Sequence, residues 1–262
     1  MTSQTHITKV GVIGAGWWAT FAHIPALQSH PQAEVIAVQS RDQTKADKIS
    51  RDLDVRHAST GVEELLDVPG LEAVVVSSTP NMHFSQAKAA LDRGLHVLLE
   101  KPMTFTAAEA RELVDLAASK QVQLLISCPW HYTAHAIEAR RLISTGELGR
   151  IRMISVLMTN PLDKLLKGIN TSPTFGMDQV YVELRHGSYN DPAIAGGGPI
   201  YCQVSHTAAY PFFPTAMNFI DAICGNTPNG SPGELGLASM EIIEAACQSA
   251  NGGGNIILRP VS

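Results

Sequence analysis

Cysteine is scarce in this chain and never clustered: Cys128, Cys202, Cys224 and Cys247 lie far apart, with no CxxC pair among them. That argues against a disulfide scaffold and fits reduced thiols in a cytosolic protein. Charge is also thin, with 16% charged residues, a net charge of −5 and a pI near 6.0. A nucleic-acid binder normally carries a basic excess, so no nucleic-acid partner is expected. No apolar run reaches the roughly 20 residues of a membrane helix. The first residues, MTSQTHITKV, lack the basic start and apolar centre of a signal peptide. The expectation is a cytoplasmic protein with no membrane partner. What remains is an ordinary globular composition, 45% apolar over 262 residues. At that length one core tends to divide into two.

Apolar runs and helical spacing alternate through the first half. Residues 9–14, KVGVIG, form an apolar run stopped by glycine, which predicts a first strand. Further strands are predicted at 34–38, 72–78, 96–100 and 122–127, with helices at 43–53, 84–92 and 106–120. Residues 17–29 carry helical spacing, but Pro25 should end or kink that helix. Strands alternating with helices imply βαβ units and a parallel sheet covered on both faces. The reading is a doubly wound α/β domain ending near Ser127.

The first turn reads Gly14-Ala15-Gly16-Trp17-Trp18-Ala19, the GxGxxA form of the dinucleotide fingerprint. The first glycine permits the tight turn and the second lets the backbone approach a pyrophosphate. A small third residue lets helix and strand pack closely. Trp17 and Trp18 join the cofactor-contacting candidates by position. A methyltransferase turn is the rival. At the end of the second strand, Val38-Gln39-Ser40-Arg41-Asp42 has no acid where the ribose of NAD would be held. Ser40, Arg41 and Lys45 instead offer polar and positive groups for a 2′-phosphate, so NADP is preferred over NAD. Asp42 in a shifted register, or a plain solvated loop, stays open.

The run LLEKPM, residues 98–103, ends a buried strand in two opposite charges and a proline. Taken alone this is a surface ion pair. Three elements together resemble the Gfo/Idh/MocA oxidoreductases, relatives of glucose–fructose oxidoreductase and inositol dehydrogenase. They are the GxGxxA turn; Ser77-Ser78-Thr79-Pro80-Asn81 with His83; and Glu100-Lys101-Pro102. The resemblance implies a Rossmann domain, residues 1–127. A second α/β domain, residues 128–262, would carry substrate and oligomer contacts, making a homo-oligomer the expected state. It implies that Lys101 is catalytic, hydrogen-bonding the substrate oxygen and assisting proton transfer. Ser78, Thr79, Pro80, Asn81, His83, Glu100 and Trp130 become cofactor-binding candidates. The implied reaction is hydride transfer between NADP or NAD and a secondary alcohol of a sugar, polyol or cyclitol.

In the second half, Gly196-Gly197-Gly198 precedes His206 at the family spacing. His206 is thereby implied as a second catalytic residue. Cys202 stands where the family has aspartate; four residues from His206, it shares a helical face with it. Cys202, His206, Lys101 and His131 are the substrate-binding candidates. No metal is expected, although Cys128, His131 and His135 are spaced so that one could bind. After His206 most of the family's substrate sheet has no room. Strands are predicted only at 151–159, 179–184 and 255–258, so the second domain reads as a reduced α+β remnant. The alternative is a non-catalytic NAD(P)-binding protein or a deletion variant lacking most of that sheet.

Overall fold

The computed structural model describes residues 6–150 and 213–252. The strands predicted at 151–159, 179–184 and 255–258, and any oligomer surface on the second domain, lie outside the described residues.

Six strands build one sheet: β1 (Thr8–Ile13), β2 (Ala33–Gln39), β3 (His57–Ser59), β4 (Ala73–Val76), β5 (His96–Leu99) and β6 (Leu124–Ile126). Their order is β3-β2-β1-β4-β5-β6, and every pairing is parallel. This is the dinucleotide-binding order of a Rossmann sheet, with chain direction across the sheet reversing between β1 and β4. All four residues of β4 are buried. A strand covered on both faces reads as a continuous apolar run, which is why AVVV was recognisable.

The helices between the strands are α1 (Ile24–Ser29), α2 (Gln43–Asp52), α3 (Val62–Leu66), α4 (Pro80–Asp92) and α5 (Ala107–Lys120). α5 starts from a complete capping box, in which Thr106 and Glu109 each satisfy the other's backbone. Of the two outcomes expected at Pro25, an end or a kink, the helix does not end there. Helical backbone runs from residue 17 to 29, and one π turn, Ala19–His23, takes up the proline. The Ile24 N–H reaches the Ala19 carbonyl five residues back, giving the wider turn that the ring needs.

After β6 come a 3₁₀ turn, Pro129–Tyr132, and α6 (Ala134–Ser144); α7 (Pro214–Ile223) and α8 (Gly233–Gly252) follow. The sequence reading assigned residues 214–252 to the second domain, yet both helices pack on the first. α7 lies against α1 and inserts Ala216, Phe219 and Ile220, all fully buried, into the core under β1 and β5. α8 lies against α5 and β6. A Cβ on Gly236 would stand 2.7 Å from Met103 Sδ and 2.8 Å from Ile126 Cγ1, so that glycine sets the close approach. The Ile126 N–H also donates to the Ser231 carbonyl at 2.8 Å, beside a bridge from Leu125 to Pro232. The physical reason is apolar surface left by α5 and β6, which α8 covers, and by α1 and β5, which α7 covers.

Phe219→Ala should therefore act on the whole domain. Emptying so large a buried site should cost about 3–5 kcal/mol in urea unfolding. A loss below about 1 kcal/mol would show that α7 is peripheral.

Candidate functional site

The carboxyl ends of β1, β2, β4 and β5 meet at the point where strand order reverses, the usual position of a ligand crevice. Gly14 opens it with φ +75°, and a Cβ there would stand 2.6 Å from both N and Cα of Ser78. Only glycine allows the β1 turn to lie on the β4 loop in this way. The turn is tied down from β2: Gln39 Oε1 accepts the Gly14 N–H at 3.1 Å, the Gln39 carbonyl accepts the Ala15 N–H at 2.8 Å, and Gln39 Nε2 donates to the Thr60 carbonyl at 2.8 Å. Gly16 differs: a Cβ there would meet only the Gly14 carbonyl, at 3.8 Å. A side chain there would stand in open space, just before the helix that starts at Trp17. That fits a pyrophosphate against a helix N-terminus.

At the end of β2, the Ser40 N–H donates to the Ser59 carbonyl at 3.1 Å, while Arg41 and Lys45 are exposed. Neither forms an ion pair among the described residues. Asp42 caps α2, its Oδ1 accepting the Lys45 N–H at 3.1 Å. That carboxylate therefore has a structural task.

On the β4 side, Ser78 donates its hydroxyl to Gln86 Oε1, Thr79 is the N-cap of α4, Pro80 is at its first turn, and Asn81 is exposed. His83 faces inward. Its Nδ1 lies 2.7 Å from the Pro102 carbonyl and its Nε2 3.2 Å from the Ser78 carbonyl. Burial lowers its pKa, outweighing those two carbonyls and Glu100. A neutral ring has one N–H and donates to one of these two carbonyls, so His83 sits buried between the β4 and β5 loops.

The two charges that end β5 point opposite ways. Lys101 is exposed, whereas Glu100 is only 8% exposed. Glu100 Oε1 accepts from Trp18 Nε1 at 2.7 Å and lies 2.8 Å from His23 Nε2; Glu100 Oε2 accepts the Lys101 N–H at 3.1 Å. Ser127, at the end of β6, adds a side-chain hydrogen bond. Burial alone would raise this carboxyl, but the His23 bond and charge, Lys101 and Ser127 outweigh it and hold the pKa at about 2. The Lys101–Pro102 peptide is cis.

Beyond β6, Trp130 and His131 are half-buried in the 3₁₀ turn. Burial, then the charge of Arg140, lowers the His131 pKa, and its buried Nδ1 has no partner among the described residues. Cys128 is pushed up by burial and by the Glu100 charge. Among the described residues no three His, Cys, Asp or Glu side chains converge as a metal cluster. Cys202 and His206 lie outside the described residues. The structure thus brings Gly14, Gly16, Trp18, Ser78, Glu100 and Lys101 to one end of the sheet. It adds His23, Gln39 and Ser127, which sequence reasoning missed. Gln39 left a signal, a polar residue closing the apolar strand EVIAVQ; a lone histidine in a helix left none.

A Rossmann sheet with a GxGxxA turn at its reversal point has the form of a dinucleotide-binding domain. Residues 8–127 match the model of the GFO_IDH_MocA oxidoreductase family, NAD-binding Rossmann fold. Over these residues the chain is similar to the Gfo/Idh/MocA oxidoreductases. It is 38% identical over 156 residues to an uncharacterized oxidoreductase, sll0816, of Synechocystis, covering 60% of this chain and 42% of that protein. It is 34% identical over 154 residues to dTDP-3,4-didehydro-2,6-dideoxy-alpha-D-glucose 3-reductase of Saccharopolyspora spinosa, covering 58% and 46%. The crystal structure of KijD10, a 3-ketoreductase from Actinomadura kijaniata in complex with TDP-benzene and NADP, superposes with a TM-score of 0.51. That match has 26% identity and covers 63% of this chain and 55% of the other. The chain spans less than half the length of these two curated relatives. Among the described residues no helix is long and apolar enough to cross a membrane.

The depressed Glu100 pKa has a stability consequence. A carboxyl moved from 4.5 to about 2 on folding contributes fully above pH 4.5, and the contribution is lost as pH falls through 2. Between pH 5 and pH 3, wild type should lose about 2 kcal/mol more urea stability than Glu100→Gln. Equal losses would show that Glu100 is not held as an anion.

Proposed function

We propose that this chain binds NADP across the β1–β4 crevice and serves hydride transfer to or from a secondary alcohol or ketone of a sugar-like substrate. The observation carrying this reading is that one end of the sheet presents both the Gly14–Gly16 turn, open around Gly16, and the exposed Lys101. Gly14, Gly16 and the helix start at Trp17 would hold the pyrophosphate. Ser40, Arg41 and Lys45 would receive the 2′-phosphate, with the Asp42 carboxylate engaged as the cap of α2. Ser78, Thr79, Pro80 and Asn81 would line the nicotinamide side. When bound, the nicotinamide supplies or accepts the hydride.

Lys101 carries the proton chemistry. In the reductive direction its ammonium hydrogen-bonds the ketone oxygen and gives up a proton as the carbonyl carbon is reduced; in the oxidative direction the amine takes the hydroxyl proton. His206, Cys202 and His131 are the proposed partners on the substrate side. The dTDP-glucose-derivative 3-reductase among the relatives, and the 3-ketoreductase held with TDP-benzene and NADP, support a sugar-like substrate for this chain. Cyclitols and polyols present the same vicinal hydroxyls and belong to the same proposed class.

A second reading follows from length. A chain spanning less than half of these curated relatives is also suited to binding NAD(P) without turnover. Fluorescence titration with the cofactor, followed by a screen of nucleotide sugars, sugars and cyclitols, separates the two. Binding without any turnover favours the second.

Two variants test the residue roles. Arg41→Ala should weaken NADP tenfold or more, the effect of a lost charge-assisted contact of about 1.5–3 kcal/mol, and leave NAD unchanged. Equal weakening of both would contradict the 2′-phosphate assignment. Lys101→Met should remove most turnover while cofactor affinity stays within about twofold, because its contact is to the reacting oxygen. Normal turnover in that variant would eliminate Lys101 as the proton carrier.

A further inference from the structure

His23 occupies a place that only a hydrogen-bond donor can fill. It is 1% exposed, within the π turn, and its Nε2 meets Glu100 Oε1 at 2.8 Å across 77 residues of chain. Its ring stands edge-on to the Trp18 indole, with centroids 6.2 Å apart and planes at 89°. Both rings address the same oxygen, Oε1, while Oε2 takes the Lys101 N–H. An apolar side chain of equal size would fill the volume but leave a buried carboxylate short of a donor.

We propose that His23 is a positioning residue: from the first helix it holds Glu100, and through Glu100 it fixes the Trp18 indole and the Lys101 main chain at the mouth of the crevice. This rests on the reading that Lys101 meets the substrate. The groups facing the carboxylate are His23 and Trp18 from the first helix, Lys101 beyond β5 and Ser127 beyond β6. His83 and Cys128 lie close enough to feel its charge. The Trp18 indole N–H and the Lys101 main-chain N–H already donate to the carboxylate beside His23.

The test needs no substrate. The Trp18 indole N–H and the Lys101 amide N–H both donate to Glu100, so their proton resonances should report its protonation together. In wild type neither resonance should titrate above pH 3, where Glu100 remains an anion. In His23→Leu both should titrate with one shared midpoint, higher than in wild type by about one unit or more. His23→Gln keeps a donor near the Nε2 position, so its midpoint should fall between the two. It also serves if the leucine variant does not fold. Variant midpoints matching wild type, or indole and amide titrating separately, would overturn the proposal. Because the readout is the carboxylate itself, a failure of the hydride-transfer reading leaves this result interpretable.

Discussion

The anionic carboxylate of Glu100 is the constraint on which the site depends. A buried carboxylate is tolerated only when donors surround it. Here the donors come from segments distant in sequence: Trp18 and His23 from the first helix, the Lys101 backbone at the end of β5, and Ser127 at the end of β6. Keeping the charge inside therefore fixes the glycine turn's helix against two strand ends. The charges that close β5 divide the work, one facing inward to hold the framework and one outward toward the crevice.

The rest of the architecture supports that junction. Gly14 lets the β1 turn lie on Ser78, Gln39 ties the same turn to β2, and His83 spans from the Ser78 carbonyl to that of Pro102. These contacts join neighbouring loops at one end of the sheet, and the Gly14–Ser78 approach crosses the reversal point, where a dinucleotide lies in folds of this order. α7 and α8 close the layers from outside, so the cofactor half includes chain from both ends of the described residues. The π turn has a double consequence: it accommodates Pro25 and ends on His23, which faces Glu100.

Much of this was legible in the sequence, for identifiable reasons. Strands β1, β2, β4, β5 and β6 are buried on both faces and read as continuous apolar runs, while α2, α4 and α5 show the helical period. β3 and α3 have three and five residues, too few for any period to register. The destination of α7 was hidden because an apolar face does not say what it packs against. The GxGxxA turn and the EKP run marked the site, since their chemistry is local. The His23–Glu100 bond was not legible, because nothing near His23 distinguishes it from a histidine that merely fills the core. The inward turn of His83 was hidden for the same reason, its partners Ser78 and Pro102 being brought to it by the fold.

The central claim is that the glycine turn, framed by Trp17 and Trp18, seats a nicotinamide dinucleotide. The most direct measurement is titration of the wild-type protein with NADPH, exciting tryptophan and observing nicotinamide emission, with NADH in parallel. The account predicts saturable energy transfer for both, NADPH saturating at the lower concentration, and its loss on replacing Gly16 with a bulky residue. An absence of saturable transfer in folded protein, or transfer indifferent to Gly16, would contradict it.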